Sequence, residues 1–202
     1  MPATRMKSAQ RRAAIVKAAI HLFAEKGFRG ATTRGLATAL GVSGPVLYQH
    51  FKTKSDLYRA IIEAKSGEGN QEIAGLQLLQ EAGDDRAFFR YLGIRMLERF
   101  DEDPDFMRLL LFSALERHEL ADLFYERQMH QYFRIVSGYI QRRIDAGGFR
   151  PMDAGLAARG FNGMVSYHGL IRLLFGKRIS QKSRAEVVDE MVESFLHGVC
   201  LP

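Results

Sequence analysis

The side chains best suited to chemistry in this sequence are cations, and they crowd one end of it. Residues 1–60 hold eleven Lys/Arg against two acids, Glu25 and Asp56, whereas residues 61–202 hold eighteen against twenty-one. The overall charge of +6 conceals that asymmetry. A basic head on a near-neutral to acidic body is the footprint of a polyanion-binding surface. Arg5, Lys7, Arg11 and Arg12 form an N-terminal arm able to follow a phosphate backbone or enter a minor groove.

Catalytic chemistry has much less to stand on. No G-x-S-x-G, P-loop, H-E-x-x-H or dinucleotide fingerprint occurs. The six histidines are scattered without metal-ligand spacing to cysteine or acid, so neither a metal nor a cofactor is expected. Cys200 is the one cysteine and cannot close an internal disulfide, which fits a reducing compartment such as the cytoplasm. No apolar run approaches the roughly 18–20 residues of a membrane-spanning helix. No apolar stretch with a cleavage site follows the basic N-terminus, so no secretion signal is expected. With 47% hydrophobic and 26% charged residues, the composition is that of a globular chain and not a disordered one.

The elements that must position the cations read as helices almost throughout. Prolines fall at ends and junctions (Pro2, Pro45, Pro104, Pro151, Pro202), and no stretch sustains a period of two. A helix from about Ser8 to Lys26 places Ile15, Ala18, Ala19, Leu22 and Phe23 on one face, and Gly27 supplies a left-handed stop. Two short helices follow, at 33–40 and 44–51, separated by Gly41, Val42 and Ser43. A longer one starts near Lys54, where Thr53 and Asp56 have capping-box spacing. The stretch 65–70, with two glycines, is expected to break or bend it. Further helices are expected at 71–82, 85–101, 104–117, 119–146, 153–176 and 182–199, forming a bundle of five or six.

The segment from Leu36 to Leu47 is specific enough to name a motif. In a helix-turn-helix two backbones nearly touch, which calls for a small residue facing the second helix and a turn residue tolerant of positive φ. Ala37 and Gly41, four apart, supply these, and Leu36, Leu40, Val42 and Leu47 fill the wedge. Ser43 can cap the second helix, Pro45 suits its first turn, and Val42 with Leu47 forms a hydrophobic staple.

The run TTRGLATALGVSGPVLYQHFKTKSDL resembles the N-terminal signature of the TetR family of bacterial transcriptional regulators, over about Arg12 to Ile62. GVS followed by LYxHF, with a lysine three residues after the phenylalanine, carries the likeness. It implies an all-α fold: a three-helix helix-turn-helix DNA-binding domain at 1–53 and a helical effector-binding and dimerisation domain at 54–202. It also implies that Thr32, Tyr48, His50 and Lys54 contact phosphates, with Thr33, Gly44, Pro45 and Val46 in the same interface. Gln49 is the candidate for reading a base edge, since its amide can pair bidentately with adenine. Phe51 and Leu47 are expected in the core. Gly44 and Val46 stand where the family often has a basic or polar side chain and a hydroxyl, and Gly35 where an acid commonly caps. The recognition helix is therefore plain, and its preference leans on Gln49, Tyr48 and DNA shape.

One short recognition helix reads too few base pairs, so the body should pair two of them about 34–36 Å apart on a pseudo-palindrome. The last two long helices are the expected homodimer contact. Gly160, Gly163 and Gly169 mark close approach, and Val187, Val188, Met191, Val192, Phe195 and Val199 form an apolar stripe. The middle of the chain is rich in aromatics and methionine, and the resemblance implies a small, mostly apolar effector there, aromatic or acyl. Arg95, Phe112, His118, Met129, Tyr132, Asn162, Tyr167 and His168 are the candidate contacts. The expected function is a repressor released from its operator by that effector, with the helix from Lys54 transmitting the shift. A coupling of about 1–3 kcal/mol changes operator affinity roughly 5–150-fold. A ligand-independent DNA-binding or architectural protein is the alternative, and an enzyme a remote one.

Overall fold

The computed structural model describes residues 8–117, 119–176 and 181–200, and their side chains except those of 66–72, 119–120 and 127–128. Among the described residues the regular structure is helical: α1 (Ser8–Gly30), α2 (Thr33–Ala39), α3 (Gly44–His50), α4 (Lys54–Ala82), α5 (Asp85–Glu102), α6 (Pro104–Leu115), α7 (Glu119–Phe124), a π-helical turn (Tyr125–Met129), α8 (His130–Asp145), α9 (Ala154–Phe175) and α10 (Arg184–Val199). The chain divides into two compact units, Met1–Gly67 with Asp105–Phe124 and Glu68–Pro104 with Tyr125–Pro202.

The first unit forms because α1 to α4 and α6 each bury one apolar face in a shared core. Ile15, Ala19, Phe23, Leu36, Leu47, Tyr58, Ile61, Phe106 and Leu109 are all buried there. The compact unit also takes in the start of α4 and most of α6, which share its buried core through Leu57, Tyr58, Ile61, Phe106 and Leu109. Gly27 interrupts α1 with φ 66° and ψ 175°, at the expected stop. Gly41 sits at φ +61° in the α2–α3 turn, a conformation that strains any residue with a Cβ. Thr32 caps α2, its hydroxyl accepting the Gly35 N–H at 3.0 Å. Thr53 and Asp56 form the reciprocal box at the start of α4, at 3.0 Å each way.

Two local expectations fail here for identifiable reasons. Ser43 occupies the N-cap of α3 but makes no side-chain cap bond. The second residue of α3 is Pro45, which has no N–H, and the N–H of Val46 already binds the Ser43 carbonyl at 3.1 Å. Of the break or bend expected at 65–70 the break is absent, and α4 continues to Ala82. Each glycine costs about 1 kcal/mol in a helix interior, yet the helix is anchored on both sides, by Leu57, Tyr58, Ile61 and Ile62 in one core and by Leu76 in the other.

The second unit packs α5, α8, α9, α10 and the end of α4 around an aromatic centre. The Phe88 and Tyr139 rings stack at 4.0 Å, and Phe89 lies 4.9 Å from Phe161 and 4.8 Å from Phe195. The Tyr139 hydroxyl donates to Asp85 at 2.6 Å, and the Arg143 guanidinium grips both oxygens of the same carboxylate. Burial and that carboxylate push the Tyr139 phenol well above its ordinary range. The helix expected over 119–146 is interrupted by the π-helical turn. Val187, Val188, Val192, Phe195 and Val199, expected on a dimer face, are buried in the unit's own core, and Met191 is packed against it. The reason is the approach of α10 to α5 at Gly93, where a Cβ would lie only 2.8 Å from a Val188 methyl and so has no room.

Candidate nucleic-acid interface

α3 is seven residues long and buries one of them, Leu47. At 100° per residue the direction opposite Leu47 falls between Pro45 and Gln49, with Val46 and Tyr48 on the flanks. The exposures agree: Pro45, Tyr48 and Gln49 are exposed, whereas Gly44, Val46 and His50 are partly so. The Tyr48 hydroxyl donates to the Thr33 hydroxyl at 3.3 Å, so the side chain of α3 is steadied by the first turn of α2. Thr32 is exposed although its hydroxyl caps α2. Leu47 and Phe51 are buried as expected, and Arg12 lies over the Phe51 ring at 4.6 Å.

Lys54 is more embedded than a phosphate contact alone requires. Its ammonium donates to the carbonyls of Phe28 and Ala31 at 2.8 and 2.9 Å and lies 4.4 Å above the Phe28 ring. Two of its three donors therefore tie the end of α1 to the start of α4. Arg29, Arg34 and Lys52 are exposed cations in the same unit that sequence reasoning passed over. Arg34 directly follows Thr32 and Thr33, so the motif itself carried the signal. Arg5 and Lys7 lie outside the described residues.

The expected effector contacts are spread over several elements of both units. Phe112 belongs to the first unit, 3.5 Å from where a Cβ on Gly27 would lie. His118 lies outside the described residues. Within the second unit Met129 sits on the π-helical turn, Tyr132 packs against the aromatic core, and Asn162 accepts a hydrogen bond from Ser166 at 3.0 Å. Arg95 pairs with Glu98. Glu98 and Asp101 in turn bind Arg184, at 3.1 and 2.9 Å, and Asp101 binds Arg172 at 3.1 Å. His168 lies near this network, its imidazole held below its ordinary pKa by burial and then by Arg172. A groove of about 500 Å³ along α8 and the start of α9, lined by Arg134, Gln141 and Asp153 among others, includes none of the expected contacts.

The comparisons with known proteins bear on both ends of the chain. The family model for bacterial regulatory proteins of the tetR family matches residues 15–61, and that for the AefR-like transcriptional repressor C-terminal domain matches residues 98–198. The chain belongs to the TetR family of transcriptional regulators. The class C tetracycline repressor protein of Escherichia coli is 47% identical over 53 residues, 26% of this chain and 24% of that protein. The HTH-type transcriptional activator FasR of Mycolicibacterium smegmatis is 39% identical over 59 residues, 29% and 27% of the two chains. The matches thus span about a quarter of those curated relatives. Among solved structures, AibR in complex with isovaleryl coenzyme A and operator DNA has the same fold, with a TM-score of 0.71 at 19% identity over 91% of this chain and 97% of that one. As a TetR-family member the chain is a transcriptional regulator. Among the described residues no helix is long and apolar enough to cross a membrane.

A second bare surface belongs to α9. Leu156, Gly160, Gly163, Tyr167 and Leu174 recur at helical spacing, and all are exposed, Tyr167 by 65%. A Cβ on Gly160 or Gly163 would meet nothing within 4 Å, whereas Gly169 is pressed against the Phe100 ring of α5. Of the three glycines expected at close helix contacts, Gly169 makes one inside the protomer and the other two open outward.

Proposed function

We propose that this TetR-family regulator is a cytoplasmic repressor that binds a pseudo-palindromic operator as a homodimer and is released by a small, mostly apolar effector. The observation that carries the reading is the outward face of α3, with Tyr48 and Gln49 exposed in a unit studded with exposed cations. Thr32, Thr33, Tyr48, His50 and the remaining Lys54 donor would hold phosphates, and Gln49 would read an adenine. Selection of bound duplexes from a random pool at several salt concentrations tests this. A symmetric enriched motif and a steep salt slope are expected; enrichment of single strands, or of no motif, overturns it.

The dimer contact is assigned to the last two long helices, chiefly the outer face of α9. An exposed apolar stripe around two open glycines suits the close crossing of a symmetry mate. Tyr167→Glu should shift the protein from dimer to monomer in sedimentation velocity while leaving its helical circular dichroism intact. A wild-type protein that sediments as a monomer at micromolar concentration sinks this contact.

For the effector, AibR's pairing with isovaleryl coenzyme A supports an acyl group as the first class to try. The effector would bind the conformation whose recognition helices are wrongly spaced, with α4 transmitting the shift. Native mass spectrometry of the purified protein, followed by operator titration with any ligand found, tests it. Unchanged operator affinity at saturating ligand would leave a ligand-independent DNA-binding protein.

A further inference from the structure

The outward face of α3 is unusual in what it lacks. Its centre is the Pro45 ring and the Gln49 amide, and its flanks are the Val46 methyls and the Tyr48 phenol. In the DNA-free protein the Tyr48 hydroxyl proton is engaged by Thr33 and would have to turn from it to reach a phosphate. Gln49 is therefore the side chain of this face that offers both an uncommitted donor and an uncommitted acceptor, and half of the face is hydrocarbon.

In the major groove thymine alone among the four bases presents a methyl group, at C5. A G·C pair placed against Pro45 and Val46 would lose water from its O6, N7 and N4 groups and gain no partner for them. A thymine methyl placed there removes apolar surface from both sides. Gln49, one helical turn beyond Pro45, matches the N6 and N7 pattern of adenine.

Resting on the reading of α3 as the base-reading helix, we propose that this head selects its half-site by methyl contact, with thymines against Val46 and Pro45 and an adenine against Gln49. The substitution that isolates the idea is in the DNA. Deoxyuridine in place of thymidine deletes the methyl and keeps each hydrogen-bonding group of the pair.

With the full-length protein and the duplex enriched by selection, each thymine of a half-site is replaced in turn by deoxyuridine and Kd is measured by fluorescence anisotropy. One or two positions should lose about fourfold in affinity, the worth of one buried methyl group. At one of them Val46→Ala should bind the thymidine duplex more weakly and show no further loss with deoxyuridine, which is the signature of a shared contact. Val46→Thr, which keeps one methyl, should retain part of the sensitivity. An enriched duplex indifferent to deoxyuridine at every thymine overturns the methyl reading while leaving DNA recognition standing. So does sensitivity that survives undiminished in both Val46→Ala and Pro45→Ala. Failure to enrich any duplex removes the recognition reading itself.

Discussion

α3 and α9 each bury one face and leave one bare, and they differ in the state of the charges around them. In the first unit local caps such as Thr32 with Gly35 and Thr53 with Asp56 stand beside longer ties such as His21 with Asp105, and Arg29, Arg34 and Lys52 stay exposed. In the second unit arginines are drawn across helices onto acids, with Arg184 on Glu98 and Asp101 and Arg172 on Asp101. The first unit's segments hold fourteen Lys/Arg against seven acids and the second's fifteen against sixteen. A polyanion thus meets a net positive field at the first alone, although Arg134, Arg142, Arg150 and Arg159 of the second are exposed. The same amphipathic helix therefore serves different partners according to whether its surrounding charge is cancelled.

The comparison rests on two separate cores, so the largest effects come from opening each. Phe89→Ala removes a ring that touches Tyr139, Phe161 and Phe195, and should lower unfolding free energy by about 3–5 kcal/mol. Leu36→Ala should cost about 2–5 kcal/mol in the first unit. Urea titration followed by circular dichroism measures both. At temperatures where both variants stay folded, only Leu36→Ala should weaken operator binding, because it alone loosens the support of α3. Equal weakening by the two would erase the distinction drawn between the units.

The lysines 52 and 54 separate surface from scaffold within the first unit. Lys54→Met deletes two charge-assisted bonds to the end of α1 and should destabilise the protein by about 2 kcal/mol. Lys52→Met, on an exposed position, should leave stability unchanged and reduce the slope of log affinity against log salt by about one. Reversed outcomes would make Lys54 the surface residue and Lys52 the structural one.

A smaller contrast uses two serines that hold the same N-cap position. Ser183 makes a complete capping box with Glu186, its backbone N–H reaching the carboxylate at 2.7 Å. Ser183→Ala should cost about 1 kcal/mol. Ser43→Ala should cost close to nothing, since the Ser43 hydroxyl makes no cap bond. A thermal melt of each variant is sufficient to tell them apart.

These contrasts also explain what the sequence could and could not reveal. The head was legible because its determinants are local: Ala37 and Gly41 are four residues apart, and Thr53 and Asp56 three. Helix order in the body was legible from period and from breaks such as Gly83 and Asp103–Pro104. Periodicity shows that the valine stripe of α10 is apolar and not what covers it. Gly93 on α5, ninety-five residues before Val188, decided that question. The expected effector residues share a composition, and composition holds no information about which of them meet.

The smallest effect sets one histidine of each unit against the other. His21 on α1 lies 2.8 Å from Asp105 and 3.5 Å from Glu25, and the hydrogen bond and charge of Asp105, followed by Glu25, raise its pKa above the ordinary 6.5. A raised pKa favours the charged form in the fold, so its contribution is full below pH 6.5 and fades as pH rises through the folded value. His168 is shifted the other way, by burial and by Arg172, with Asp101 opposing. The fold penalises its charged form, so stability is intact above pH 6.5 and declines as acid protonates the unfolded chain first. Between pH 7.5 and 5.5, His168→Gln should flatten an acid-side loss and His21→Gln should remove an acid-side gain. Because His21 is fully exposed, its effect should also shrink with added salt, while that of the partly buried His168 should persist. Two variants that respond identically to salt would mean that burial does not separate the two sites.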